Sequence, residues 1–449
     1  MLDRILILIT LIAICLYETN AQSPYQFTVE EAVQHAITNN NELDQAKIDE
    51  EIADARVSEI KGMALPQINA SGRFTDNFSL AEQQLPAEIF GGEPGTTIGV
   101  AFGNRYSVTG GVDVQQQLLN FRLFNSLKSA NTLKELNQLN TLQTTENLVI
   151  NVIQLYIQVQ VTTKQIELLN QNYDRTDNLV NLSQQKLDEG IIKKLDLNQL
   201  IVNKTNLYTQ IEDANYSRNE QLRLLKLYLN IPMESELILT EKLEDRNKYP
   251  LQNELTLNSN IQYQQLLKQK ELAVMEEKLI KAEYLPSLNA FFNYNYLGNT
   301  NEFKFSGDGY AGQWNGTWGI SASIPIFDGF QRKNKLQQKQ LNTQKIQRQE
   351  KQTQLSIEKQ YLDAIEQINL SNTQIKSQNE NMTLANENYE GIKLSYNQGI
   401  APITELLDAE FALRQAQSSY LNALLQYKVA ELRVLKSSGQ LSSLISQSK

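Results

Sequence analysis

Two acidic residues near the end of the chain are the clearest candidates for a chemical role. Glu405 and Asp408 lie three positions apart in the segment YNQGIAPITELLDA, so on a helix their carboxylates would share one face. In a symmetric oligomer each would become a ring around the axis, and rings of this kind favour cations and repel anions. The plainer interpretation of any single acidic pair is a solvated helix face.

Residue types that support catalysis are scarce in this chain. His35 is its single histidine and Cys15 its single cysteine. The sequence has no metal-binding Cys/His spacing, no nucleophile motif and no glycine-rich phosphate loop. We therefore expect no enzyme activity, no metal site and no cofactor, and we interpret His35 as a surface or packing residue. The net charge of −10 also argues against nucleic-acid binding.

The chain contains two copies of one unit. KGMALPQINA at 61–70 resembles KAEYLPSLNA at 281–290, and Gly190-Ile191 has a counterpart in Gly399-Ile400. A repeat of this size predicts two halves with the same local fold. The predicted segments are a first structural repeat at 22–232, an equatorial linker at 233–257 and a second structural repeat at 258–449.

The first residues follow the pattern of a secretory signal. Arg4 precedes an apolar run from Ile5 to Tyr17, and Ala21 supplies a small residue before a cleavage site. A run of about 13 residues is too short to cross a bilayer as a helix. We expect a signal peptide at 1–21. Lipidation at Cys15 is the alternative, and it is disfavoured because no small residue precedes the cysteine.

Each copy predicts a helix, two strands, a very long helix and a returning helix. Thr28 and Glu31 form a capping box at the start of a helix predicted over 28–63. No proline or glycine occurs between Phe121 and Asp188, and one helix of that span would be about 100 Å long. Residues 330–397 lack proline and predict the matching rod. The remaining helices are predicted at 193–229, 258–284 and 403–437.

Alternation of apolar and polar residues predicts two strands in each copy. The predicted strands are Ile68–Thr75, 105–118, Leu288–Tyr296 and Trp318–Ile326, with long loops at 79–104 and 298–314 and a short strand at Leu237–Leu239 in the linker. Strands of about 10 residues can cross a bilayer when tilted, and this alternation suits a barrel with lipid outside. A soluble antiparallel sheet with one buried face explains the alternation equally well.

Four strands are too few for a transmembrane barrel. An open sheet edge is not tolerated in lipid, so the membrane interpretation requires more than one chain. Two chains would give eight strands and a barrel filled by its own side chains, whereas three would give twelve strands and room for a lumen.

The order of these motifs, in two copies, resembles that of the TolC-like outer-membrane efflux proteins. The resemblance covers the whole mature chain. It lies in the Leu-Pro of each helix-to-strand junction, in Leu118-Leu-Asn-Phe and Ile326-Phe-Asp-Gly, and in the turn segments EGIIKKLDLNQ and YNQGIAPITELLDA. It implies a mainly α fold with a transmembrane β-barrel portion: a homotrimer with a twelve-stranded barrel in the outer membrane, on a long α-helical tunnel that extends into the periplasm.

The resemblance also implies a function and partners. The channel would be a passive conduit from a tripartite export system to the exterior. Its partners would be a periplasmic adaptor protein, an inner-membrane transporter and the lipid of the outer membrane. The alternative is a secreted or surface coiled-coil structural protein, which would explain the rods but not the duplicated aromatic strands beside them.

The same resemblance assigns roles to residues at the two turns. Adaptor docking is implied for Gly190, Ile191, Leu195, Gly399, Ile400 and Thr404. Pore constriction and gating are implied for Asp196, Tyr396, Glu405 and Asp408. Tyr396 and Asp196 match a pair whose hydrogen bond helps to hold the tip closed. Ala401 stands where the best-known form of the family has an arginine, and Leu195 replaces a threonine, so one arm of that latch is absent here.

Overall fold

The computed structural model describes residues 24–243 and 255–441. The predicted signal peptide at 1–21, the linker residues 244–254 and residues 442–449 lie outside the described residues. The α-helices are α1 Val29–Asn39, α2 Asn41–Gly62, α3 Phe121–Asp188, α4 Lys194–Leu229, α5 Ile261–Ala282, α6 Gln331–Asn397 and α7 Ile403–Ser437. The strands are β1 Tyr25–Phe27, β2 Gln67–Asp76, β3 Glu82–Pro86, β4 Thr97–Ala101, β5 Tyr106–Leu119, β6 Leu237–Leu239, β7 Ser287–Thr300 and β8 Ala311–Ser323.

The two long helices begin and end where the sequence predicts. Helix α3 starts after Asn120, whose side-chain oxygen accepts hydrogen bonds from the N–H groups of Arg122 at 3.0 Å and Leu123 at 3.2 Å. Helix α6 starts beside Asp328, whose carboxylate accepts from the backbone and the guanidinium of Arg332 at 2.9 and 2.7 Å. Side chains that satisfy the first free N–H groups fix each helix start.

The predicted first helix is wrong in one respect. Thr28 and Glu31 form the capping box as expected, but the helix ends at Asn39 and a second one begins at Asn41. Asn40 has an extended backbone, and its side-chain oxygen accepts from the N–H groups of Glu42 at 2.9 Å and Leu43 at 3.1 Å. The side chain therefore caps α2 and makes a break without proline or glycine.

The four long strands form one antiparallel sheet in the order β2-β5-β7-β8, so β2 and β8 lie at its edges. Both edge strands are almost wholly exposed in the single chain. The predicted strand Trp318–Ile326 is displaced, because β8 begins at Ala311 and ends at Ser323. Pro325 lacks an N–H and cannot continue a ladder, and the preceding loop is correspondingly shorter than predicted.

Two small sheets were not fully predicted. The predicted loop 79–104 contains an antiparallel hairpin of β3 and β4, so the expectation of a structureless loop is wrong. The predicted strand Leu237–Leu239 is confirmed, and it pairs in parallel with β1. Sequence reasoning missed β1 because its pairing partner is remote in the sequence.

The described chain divides into two compact units. The first unit comprises the described parts of Met1–Ile48, Leu139–Gln265 and Lys351–Lys449, and the second comprises Asp49–Gln138 and Leu266–Glu350. The first unit has a core around fully buried Tyr156, whose hydroxyl donates to the carbonyl of Phe27 at 2.9 Å. The second unit contains the four-stranded sheet. Among the helices of the described ranges, none is both long and apolar enough to span a membrane.

Candidate functional site

Two glycine turns in the first unit end the long helices in the same way. Gly190 and Gly399 have φ angles of +74° and +75°. Their N–H groups donate to the carbonyls of Leu187 at 2.9 Å and Tyr396 at 3.0 Å, while the following isoleucines donate to residues five positions back at 2.8 and 2.9 Å. This is the Schellman pattern of helix termination, and its left-handed residue favours glycine.

The turns expose apolar side chains. Ile191 and Ile400, which follow the glycines, are 65% and 74% exposed, and Leu195 is 64% exposed. Thr404 is also exposed at the start of α7. In the single chain, both turns therefore present large aliphatic side chains to solvent.

The predicted carboxylates differ in whether they have a hydrogen-bond partner. Glu405 and Asp408 are both exposed on the first turns of α7, and within the described residues neither has a hydrogen bond or ion pair. Asp196 is half-buried and accepts a hydrogen bond from the backbone N–H of Lys193 at 3.2 Å. Asp196 therefore caps the start of α4, whereas the carboxylates of Glu405 and Asp408 are exposed to solvent.

Tyr396 has a partner that the sequence did not predict. It is 6% exposed, and its hydroxyl lies 3.3 Å from the hydroxyl of Ser183 on α3. The ammonium group of Lys186 lies 4.7 Å from the centre of the Tyr396 ring. Within the described chain, Tyr396 and Asp196 are thus each bonded to other groups, and the gating role of the pair stays a prediction.

Each glycine turn joins two helices into a helical hairpin, α3 with α4 and α6 with α7. One apolar core joins these two hairpins close to the turns. Leu200, Tyr389, Leu406 and Leu413 are essentially inaccessible to solvent and belong to one cluster. The cluster draws on α3, α4, α6 and α7, because Leu179 also contributes to it. The helices that end at the two turns are therefore packed against one another through this apolar cluster.

A buried polar network lies beside this apolar core. Glu410, two residues after Asp408, is only 2% exposed. Its carboxylate accepts from the hydroxyl of Thr176 at 2.7 Å and from the amide of Asn203 at 3.1 Å. Arg414 also donates to Asn203, at 2.9 Å, and lies 3.8 Å from Glu410. The network thereby ties α3, α4 and α7 together.

The same region holds one orphaned hydroxyl. Tyr389 is 1% exposed, and its hydroxyl oxygen has no hydrogen-bond partner in the described residues. Burial, reinforced by the charge of Glu410, raises the pKa of Tyr389 to about 12. The guanidinium of Arg175 lies 5.4 Å from the ring centre. Sequence reasoning missed this network because no local pattern distinguishes buried Glu410 from its exposed neighbours.

The family model for outer membrane efflux proteins matches residues 32–230 and 254–440, which covers both repeats. The chain belongs to the outer membrane efflux protein family. It is therefore an outer-membrane efflux channel, of a family of channel proteins rather than enzymes. In a comparison with curated proteins, no sequence matches this chain.

Solved structures of outer-membrane channels have the same fold. The Campylobacter jejuni CmeC outer membrane channel matches with a TM-score of 0.76 at 15% identity, over 94% of this chain and 89% of that one. The structure of CusC matches with a TM-score of 0.74 at 18% sequence identity, over 91% of each chain. The open state of the Neisseria gonorrhoeae MtrE outer membrane channel matches with a TM-score of 0.71 at 16% sequence identity, over 92% of this chain and 89% of that one. The efflux protein thus has the mainly helical fold with a β-sheet portion that the sequence predicted.

Within the described residues of this efflux protein, no group of three or more His, Cys, Asp or Glu side chains is arranged to hold a metal ion. The chemistry available at the turns is therefore the charge of exposed carboxylates together with apolar contact.

Proposed function

We propose that three copies of this chain form the outer-membrane duct of a tripartite export system. Substrate would enter from an inner-membrane transporter through a periplasmic adaptor and leave passively to the exterior. The observation that carries the proposal is the family match across both repeats. A coiled-coil filament would account for the long helices but not for the four-stranded sheet.

The edges of the sheet support assembly with further copies. Strands β2 and β8 each have one neighbour in the described chain, and lipid does not tolerate unpaired backbone groups. Pairing β2 of one copy with β8 of the next would remove both edges. Three copies would supply twelve strands, enough to enclose a lumen.

The helices of the first unit carry a second sign of assembly. Helix α6 exposes three leucines at intervals of seven and eight residues and a fourth 14 residues farther on, which is close to the heptad spacing of a coiled-coil seam. They are Leu355, Leu362, Leu370 and Leu384, each more than half exposed. A stripe of this kind needs a partner helix, and a neighbouring copy supplies one.

We assign adaptor docking to the two glycine turns. Exposed Ile191 and Ile400 would contact apolar side chains of the adaptor, with Leu195 and Thr404 at the margin of the surface. The glycines would admit a close approach, since a β-carbon built at either position has no neighbouring heavy atom within 4 Å.

The docking proposal predicts position-specific crosslinking in cells. A photoreactive residue at Ile191 or Ile400 should capture the adaptor protein, because both side chains project from the turns. The matched control is Tyr216, which is 64% exposed on α4 well away from the turn. Equal capture from all three positions, or capture from Tyr216 alone, would place the adaptor elsewhere.

We assign selectivity to Glu405 and Asp408. In a trimer each would form a ring of three carboxylates, and such rings attract cations and hold multivalent ones. Asp196 and Tyr396 would govern the closed state, through the pairing that the family resemblance implies. With Ala401 and Leu195 in place of the arginine and threonine, fewer polar contacts are available to hold the tip shut.

Removal of both carboxylates should change conduction. In planar bilayers, Glu405→Ala/Asp408→Ala channels are expected to lose cation preference and to need at least tenfold more of a multivalent cation for block. Glu387→Ala, at another exposed carboxylate near the end of α6, serves as the control and should behave like the unmodified channel. Unchanged selectivity in the double variant would mean that the two residues lie outside the constriction.

A further inference from the structure

A cleft of about 770 Å³ lies within the first unit, apart from the glycine turns. Its walls come from four helices: α3, the start of α5, α6 and the last turns of α7. Sites for small molecules are typically about 300 to 1,000 Å³ in volume. The cleft is therefore large enough to admit a small organic molecule.

Glu146 contributes a buried carboxylate to the wall of this cleft. It lines the cleft from α3 and is only 5% exposed. Within the described residues its carboxylate has no hydrogen bond and no ion pair. Lys436 lies close enough to favour the charged form, yet its ammonium donates to Asn147 at 3.1 Å. Burial raises the pKa of Glu146 to about 7, because the charged form loses its hydration without gaining a partner.

The other charges around the cleft lie at its exposed rim. Helix α6 contributes Asp363 and Glu366, and α7 contributes Arg433 and Lys436. The wall residues from the start of α5 are Asn260, Ile261 and Gln262, and none of them titrates. Carboxylates thus outnumber basic groups by three to two.

The remaining polar lining is rich in carboxamides, including Gln143, Gln360 and Gln367. Carboxamide and carboxylate oxygens accept hydrogen bonds from N–H groups. Ala364 and Leu370 add an apolar patch for a hydrocarbon group. A molecule with a cationic amine and a small apolar body would match each of these features.

We propose that this cleft binds a small organic ammonium ion, with Glu146 as its counter-ion. The ammonium group supplies the missing partner of the buried carboxylate, and the ligand's apolar part contacts Ala364 and Leu370. The site is separate from the turns and does not rest on the proposed export role.

Binding at this site is linked to a proton. The ammonium ion requires the charged carboxylate, so a protonated Glu146 must first release its proton to the solvent. With a pKa of about 7, roughly a tenth of the sites are charged at about pH 6 and roughly nine-tenths at about pH 8. The dissociation constant should therefore fall about tenfold between these conditions.

Isothermal titration of the purified full-length protein in detergent with 2-phenylethylamine tests the proposal, since that amine stays protonated over this pH range. Repeating the titration in two buffers of different protonation enthalpy at about pH 6 should reveal release of close to one proton per bound ligand. 2-Phenylethanol, which has the same body without the charge, should bind at least tenfold more weakly.

The decisive variant is Glu146→Gln, which keeps the shape of the protonated side chain and is expected to fold normally. It should bind the amine at least tenfold more weakly and release no proton. Glu387→Gln, at an exposed carboxylate of α6 outside the cleft, should retain both the proton release and the affinity. Unchanged binding by Glu146→Gln would overturn the proposal, as would binding that disappears only in Glu405→Gln/Asp408→Asn.

Discussion

Replacing both turn glycines with leucine is expected to abolish export while the protein still assembles and reaches the outer membrane. Gly190 and Gly399 adopt left-handed backbone conformations, where a β-carbon costs roughly 1 kcal/mol or more at each site. No neighbouring heavy atom lies within 4 Å of a β-carbon added at either position, so the chain itself accommodates the side chain. The leucines would instead obstruct the proposed adaptor.

The measurement is export in cells, read together with adaptor crosslinking from Ile400. Gly391→Leu is the matched control, because Gly391 lies in α6 near the same turn with an ordinary helical backbone and equally open surroundings. The control should export normally. Normal export by the Gly190→Leu/Gly399→Leu variant would show that partners dock elsewhere on the protein.

Removing the buried carboxylate of Glu410 should lower the local stability of the packing between α3, α4 and α7. In Glu410→Ala, Asn203 loses an acceptor, and Arg414, whose side chain is 16% exposed, loses its nearby carboxylate. A buried charge left without its partner costs about 3 kcal/mol. That change corresponds to an increase of about a hundredfold in local opening.

Hydrogen exchange of the backbone amides at the start of α4 and α7 measures this opening. Exchange there is expected to rise about a hundredfold in Glu410→Ala, with little change in the four-stranded sheet. Glu405→Ala is the control, since Glu405 is exposed and has no described partner, and it should leave exchange unchanged. Equal exchange in both variants would mean that the network does not stabilise the hairpins.

Local sequence patterns were sufficient to predict the features that depend only on neighbouring residues in the chain. The bounds of α3 follow from a span without helix breakers between Asn120 and Gly190, and a left-handed turn favours glycine at Gly190 and Gly399. The break at Asn40 was missed because it depends on a capping side chain in an otherwise helical pattern. The strand β1 was missed because its partner, β6, is remote in the sequence.

The candidate site divides in the same way. Exposed Ile191, Ile400, Glu405 and Asp408 lie on turns that the sequence already marked. The burial of Glu410 and Glu146 depends on which helices pack against them, and that information is not present in the spacing of either residue. The position of Ser183 beside Tyr396 likewise requires the packing of α3 against α6.

The central claim is that one chain supplies a third of a membrane channel. Mass measurement of the mature protein, extracted from outer membranes in mild detergent, tests it most directly. We expect a complex of three chains, because strands β2 and β8 have free edges in the single chain and lipid requires those edges to pair. A stable monomer recovered from the membrane would contradict the account.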